Sequence, residues 1–238
     1  MNTNTNVYTV IYTTVVCVLV AAILAFVSQS LKPMQVANEK AETIGQILEA
    51  ANFEKQADNA AILNFYKQNV QEAILINAAG EKVKTLNTAD AEVYSTSDLK
   101  AENYNIKGQT EFAIPVYIFK NGISVIPVYG AGLWGPVWGY VALDGLNIVG
   151  ATFDHSGETP GLGGKIKDDP SFRAQFAGKS LDYSTAVPFE IVKGGAPAGQ
   201  ANAIDAISGA TMTSKGLAEA IVVWANAYKC YLNTPKED

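Results

Sequence analysis

The chain is 238 residues long, with 17 Lys and Arg against 23 Asp and Glu, for a formal net charge of -6. That length holds one sizeable core or two small ones beside a membrane segment. The acidic balance argues against a nucleic-acid surface or a basic patch for anionic lipid, and one His with two distant Cys argues against a zinc or iron–sulfur site.

The first element is an apolar run, Val7 to Val27, without a charged side chain; the first charge in the chain is Lys32. At about 1.5 Å per residue this run covers about 30 Å, the depth of a hydrocarbon core. Tyr8 and Tyr12 lie near one end, where interfacial aromatics belong. A cleaved signal peptide would want a basic leader and a shorter apolar stretch, so a retained anchor is the better fit. Lys32 and Lys40 lean weakly toward a cytoplasmic C-terminal part. Cys17 sits in the apolar run and Cys230 near the end of the last helix, so the two are not expected to pair.

Val36 to Phe53 reads as a helix from Ile44, Ile47 and Leu48. Asp58 to about Ala78 reads likewise, with Ile62, Phe65, Tyr66, Val70, Ala73 and Ile74 on one face. Gly80 to Glu111 is polar and mixed, and reads as a loop with one short strand. Pro115 to Lys120, Asn121-Gly122, then Ile123 to Tyr129 is a hairpin pattern, with Pro127 marking an edge or a bulge. Gly130 to Tyr140 carries four glycines and two tryptophans, too irregular for a plain strand. Spacing favours tryptophans in the core over an aromatic surface for a ligand or partner. Val141 to Asp144, Gly145, then Ile148 to Phe153 reads as a second hairpin. Strands and helices come in blocks, so the predicted class is α+β, not a doubly wound sheet. The expected plan is a tail over 1–6, a transmembrane helix over 7–27, a membrane-proximal helical region over 28–111, a ligand-binding domain over 112–232 and a tail over 233–238.

A glycine-rich loop follows, Asp154-His155-Ser156-Gly157-Glu158-Thr159-Pro160-Gly161-Leu162-Gly163-Gly164-Lys165. It mixes a carboxylate, a hydroxyl, a leucine and a lysine in a short span, which suits a loop lying against a ligand. His155 is the only histidine, and no G-x-S-x-G elbow accompanies it, so a serine hydrolase is a poor reading. Asp169 caps a short helix with Pro170 in its first position, running to about Ala177 with Phe172, Gln175 and Phe176 inward. Val187 to Val192 is a strand, and Gly194 to Gln200 a flexible loop.

The richest stretch is Asp205-Ala206-Ile207-Ser208-Gly209-Ala210-Thr211-Met212-Thr213-Ser214-Lys215-Gly216, followed by Leu217, Ile221, Trp224 and Tyr228 at helical spacing. Unpartnered amides at a helix start suit a phosphate, and Gly209 and Ala210 let a bulky group approach. The bland alternative is Thr213 or Ser214 acting as a helix cap. No Gly-Lys-Ser/Thr run supports a P-loop, and a Ser-x-x-Lys nucleophile would need Ser where Met212 stands.

Asp205-x-x-Ser208-Gly209-Ala210-Thr211-x-Thr213 resembles the flavinylation motif of the FMN-binding domain family. Glu158-Thr159-Pro160-Gly161-Leu162-Gly163 resembles that family's second signature, and Gly132-Leu133-Trp134-Gly135-Pro136 the stretch before its flavin pocket. The resemblance implies covalent FMN on Thr211, joined through its phosphate by a flavin transferase. It places Ser208, Gly209, Ala210, Asp205, Glu158, Gly161, Gly163 and Lys165 around the cofactor, with Thr159 and Leu162 touching the isoalloxazine ring. The most similar branch comprises the anchored flavin subunits of Na+-translocating NADH:quinone reductases and of Rnf-type ferredoxin:NAD oxidoreductases. Trp134-Gly135-Pro136 and the two helices before the first hairpin favour the sodium-pump side. That branch implies electron transfer beside the other pump subunits (A, B, D, E and F), with the flavin domain on the outer (periplasmic) face of the cytoplasmic membrane. A cofactor-free, membrane-anchored interaction module is the reading from another class.

Overall fold

The computed structural model describes residues 6–234; the rest of both expected tails, 1–5 and 235–238, lies outside the described residues. The chain divides into two units, Met1–Lys40 and Ala41–Asp238. Helix α1, Asn6–Ala50, belongs to the first up to Lys40 and to the second beyond it. Two helices were expected here, yet α1 is continuous, and Pro33 lies inside it. Proline removes one backbone hydrogen bond, and in α1 that does not end the helix. Val10, Ile11, Val18, Leu19, Ile23 and Leu24 are all exposed, and the helix is long and apolar enough to cross a bilayer.

In the second unit, α2 (Asn59–Asn69) starts at Asp58, whose carboxylate accepts the Ala61 amide at 2.8 Å. The expected continuation to Ala78 is corrected: the chain turns extended at Val70 and forms strand β1, Val70–Ile76. Val70 to Ile76 is a short apolar run whose helical and strand periods are hard to tell apart. The sheet decides it, because β1 pairs antiparallel with two neighbours. Those are β2, Lys82–Thr85, and β3, Ile114–Phe119. A sheet strand therefore lies within the span expected to be helical, 28–111, and pairs into the span 112–232. Between β2 and β3 lies α3, Thr96–Gly108, where only a loop and a strand were expected. Its capping box is complete, with Ser95 and Asp98 each satisfying the other's backbone amide.

The sheet continues with β4 (Ser124–Ala131), β5 (Pro136–Asp144) and β6 (Asn147–His155), giving the order β2-β1-β3-β4-β5-β6. Both expected hairpins are present, turning at Gly122 and Gly145, where φ is +85° and +60°. Pro127 lies in an inner strand, but the β3–β4 ladder covers only Ser124 and Val125. At Pro127 the strand therefore pairs with β5 alone, through Tyr140, which is where a strand tolerates proline. The Gly130–Tyr140 block resolves into the end of β4, a tight turn and the start of β5. Gly132 N–H donates to Gly135 O at 2.7 Å across that turn. Its tryptophans divide: Trp138 packs against the core, partly buried, whereas Trp134 corrects the core expectation at 69% exposure.

After β6 come two short helices, α4 (Lys165–Asp168) and α5 (Pro170–Ala174), the second capped by Asp169 on Ser171 N at 2.9 Å. Strands β7 (Glu190–Val192) and β8 (Ala203–Asp205) form a separate parallel pair. Helix α6, Thr211–Asn233, closes the fold.

Both faces of the sheet are covered. Ala73, Leu75, Tyr117, Phe119, Val125, Tyr140 and Ala142 cluster with Ile44, Ile47 and Leu48 of α1 and Tyr66 of α2. Ile74, Val116, Ile126, Val128, Val141 and Leu143 cluster with Leu99 of α3 and with Leu217, Ile221, Trp224 and Tyr228 of α6. Burying each of the larger side chains among these contributes about 1.5–3 kcal/mol. Two glycines bring α6 close: a Cβ on Gly130 would lie 2.6 Å from the Ala220 Cβ, and one on Gly216 would overlap Ala131 O of β4. The sheet's edges are guarded. The whole of β2 is exposed and carries Lys82 and Lys84, while β6 is tied by Thr152 Oγ1 to Gln46 O and by Asn52 Nδ2 to Val149 O.

Candidate functional site

Three loops meet at the start of α6. They are the β4–β5 turn, the loop after β6, and the turn between β8 and α6. The two segments singled out from sequence, 158–165 and 205–214, are thus brought together across the end of the sheet.

Glu158 joins the three. It is 4% exposed; its Oε1 accepts the Trp134 amide at 2.9 Å and its Oε2 accepts the Thr213 hydroxyl at 2.5 Å. Its own amide donates to His155 Nδ1 at 3.1 Å. His155 is therefore an internal acceptor of the loop, and its ring proton belongs on the other nitrogen. The loop then folds over Thr159, whose carbonyl accepts the amides of Leu162 at 3.1 Å and Gly164 at 3.0 Å. Gly161 takes φ +75°, which makes this turn possible, and Lys165 N–H donates to Leu162 O at 3.1 Å where α4 begins. Thr159 and Leu162 face outward, Leu162 at 45% exposure. Gly163 is buried; a Cβ there would lie 2.5 Å from Thr213 Oγ1.

The α6 start approaches this loop closely. Gly209 takes φ +80°, and a Cβ on it would lie 3.1 Å from Leu162 Cδ2. Ala210 is the N-cap and makes no side-chain cap hydrogen bond. Its amide donates to Ile207 O at 3.1 Å, and its carbonyl accepts Ser214 N–H at 2.9 Å. Capping by Thr213 or Ser214 does not occur: Thr213 donates to Glu158, and Ser214 Oγ accepts the Ile207 amide at 3.1 Å. Both are buried, whereas Ser208 and Thr211 are exposed. The start of α6 therefore turns Thr211 and Met212 outward, the latter 55% exposed, without a capping side chain and beside an exposed leucine. Amides so placed favour an anion.

Asp205 ends β8 at the exposed edge of the same turn. Its Oδ1 accepts the Ala196 amide at 2.7 Å, and its own amide donates to Gln175 Oε1 at 2.9 Å.

Thr213 is the last residue of the motif, but its pairing with Glu158 is a tertiary fact. Asp154 opens the glycine-rich loop in sequence, and its role there is not legible from it. Asp154 is 3% exposed at the end of β6, where Oδ1 takes the His155 amide at 2.7 Å and Oδ2 takes Lys167 Nζ at 2.7 Å and Gln46 Nε2 at 2.9 Å. Partial burial opposes the Lys167 charge, but the Asp154 hydrogen bond and charge outweigh it and raise the Lys167 pKa. The pair anchors the strand end from which the 155–164 loop departs.

Residues 132–226 match the family model of the FMN-binding domain. The NqrC component of the Na(+)-translocating NADH-quinone reductase of Vibrio vulnificus is 45% identical over 116 residues, 46% of this chain and 45% of that protein. The chain thus matches less than half the length of that relative. The same component from Haemophilus ducreyi is 31% identical over 94% of this chain and 90% of its own length. The crystal structure of its counterpart from Parabacteroides distasonis superposes with a TM-score of 0.72 at 32% identity, over 87% of this chain and 98% of that one. With these two relatives matched over nine-tenths or more of their length, the chain belongs to the NqrC family of the Na(+)-translocating NADH-quinone reductases.

Proposed function

We propose that the chain is the electron-transfer subunit of a membrane Na+-translocating NADH:quinone oxidoreductase, carrying FMN as a phosphoester on Thr211. The observation that carries this reading is the contrast between the motif's two threonines. Thr213 is buried with its hydroxyl committed to Glu158, while Thr211 is exposed at the first position of an uncapped helix.

The residues present fit such a group. The first-turn amides of α6, left without a capping side chain, suit a phosphate, Gly209 leaves its approach open, and Leu162 offers an apolar face beside it. Thr159 and the backbone amides of the 159–163 turn border the ring's polar edge in this reading. Bound FMN supplies the redox chemistry that no side chain here has. The chain's own part is to hold the attachment point. Ser208, Gly209 and Ala210 keep the Thr211 hydroxyl accessible to a separate flavin transferase, and Asp205 presents a carboxylate to that enzyme's metal ion. Residues 7–27 anchor the protein in the bacterial cytoplasmic membrane with the flavin domain on the periplasmic side, beside the other pump subunits (A, B, D, E and F). No ionisable residue of the Asp, Glu, Lys, Arg or His type lies in 7–27, so ion movement belongs to the assembly.

Intact mass of the chain purified from its native host tests the reading. The wild type carries one added flavin phosphate, in-gel flavin fluorescence survives SDS, and Thr211→Ala abolishes both while folding normally. An unmodified wild-type chain, or full fluorescence in the variant, overturns it.

A further inference from the structure

Glu158 is an unusual group to find where it is. It is almost fully buried, and no lysine, arginine or histidine forms an ion pair with it among the described residues. Its carboxyl group is held by two hydrogen bonds alone, from the Trp134 amide and the Thr213 hydroxyl. Burying a carboxylate without a cation is unfavourable, and such a group persists where it fixes a geometry. The surroundings are cut to fit it. Cβ atoms on Gly132 and Gly163 would each run into one of its two oxygens, so both positions exclude any larger residue. Its backbone is fixed as well, through His155 Nδ1. Neither oxygen faces outward to a ligand.

We propose that Glu158 is a positioning residue and not a cofactor ligand: a buried clasp that sets Thr211 against the 159–163 turn. The inference rests on the covalent-FMN reading for its consequence, and on the hydrogen bonds alone for its structure. Thr213 lies two residues beyond the acceptor, so holding its hydroxyl fixes the rotation of the first turn of α6. Trp134 holds the opposite side, so one carboxylate fixes the β4–β5 turn, the ring-facing turn and the attachment point together. Removing it leaves Thr211 exposed but adrift relative to Leu162.

Three variants of the full chain test this: Glu158→Ala, Glu158→Gln and Thr213→Val, each made with and without a co-expressed flavin transferase. Glutamine keeps both contacts, because its carbonyl accepts the Trp134 amide and its amide donates to Thr213 Oγ1. In the unflavinylated chains, hydrogen exchange at the Trp134 amide and over 208–216 is read first. Exchange speeds up in Glu158→Ala and Thr213→Val and is largely restored in Glu158→Gln. With the transferase, initial loading rates rank wild type, then Glu158→Gln, then Glu158→Ala, the last slower by on the order of a hundredfold. Wild-type exchange in both Glu158→Ala and Thr213→Val overturns the clasp. So does loading of Glu158→Ala at the wild-type rate, or loading of Glu158→Gln no faster than Glu158→Ala. If Glu158→Ala does not fold, Thr213→Val carries the exchange and loading measurements. A wild-type chain that never loads refutes the flavin reading, and the exchange data still decide the clasp.

Discussion

Replacing Gly216 with alanine sets two effects of opposite sign against each other. Gly216 lies inside α6, where helix propensity alone makes alanine better by about 1 kcal/mol. Yet the added Cβ would overlap Ala131 O and come within 3.2 Å of Ala131 C and 3.4 Å of Gly132 Cα. All three are backbone atoms at the end of β4, so no side chain can swing away. Overpacking of this kind costs about 1–3 kcal/mol, and a backbone obstacle on three atoms puts it near the upper end. The net expectation is a loss of about 2 kcal/mol, hence a fall in Tm of about 4–8 °C for a unit of this size. Thermal unfolding of the full chain, followed by circular dichroism, measures it. A rise of about 2–4 °C, the propensity result, would refute the close packing of α6 on β4.

Trp224→Phe should cost about 1–3 kcal/mol in urea midpoint with an unchanged m-value, because the indole N–H donates to Tyr129 O at 2.9 Å and Asn103 Oδ1 at 3.1 Å. Burial raises the pKa of Tyr117, Tyr140 and Tyr228 above the ordinary 10.0. The stability held by these neutral phenols is complete below pH 10 and is lost as pH rises toward their folded values. Each loses about 1 kcal/mol between pH 10 and 11, because the unfolded phenol is already half ionised at pH 10, so the three together remove about 3 kcal/mol over that unit. Urea midpoints that stay flat from pH 9 to 11 would contradict the burial of these hydroxyls.

Much of the site was legible because it is written in local chemistry. The two signature stretches are contiguous, and their glycines declare tight turns. The apolar run of α1 needs no tertiary information to be seen, and both β-hairpins show Gly at the turn. What failed depended on neighbours. Val70 to Ile76 reads as helix until β2 and β3 are there to pair with it. Helix α3 carried its own signal, Ser95 three residues before Asp98, but only Leu99 on it is buried, so its amphipathic stripe is faint. Trp134 reads as core by its spacing, and only the turn between β4 and β5 puts it outside. Glu158 was singled out by its neighbours in the motif, yet its inward direction could not be read from the sequence.

The two guarded margins of the sheet bear on how the protein behaves when concentrated. At one margin, Lys82 and Lys84, paired with Glu72 and Glu92, line a four-residue strand with charged groups that discourage a second chain from adding alongside. At the other, the Asn52 side chain already occupies the Val149 carbonyl, and the chain at 178–179 pairs with the backbone of Ile148. Association through extended backbone, the route to fibres and domain exchange, is thereby disfavoured at both ends.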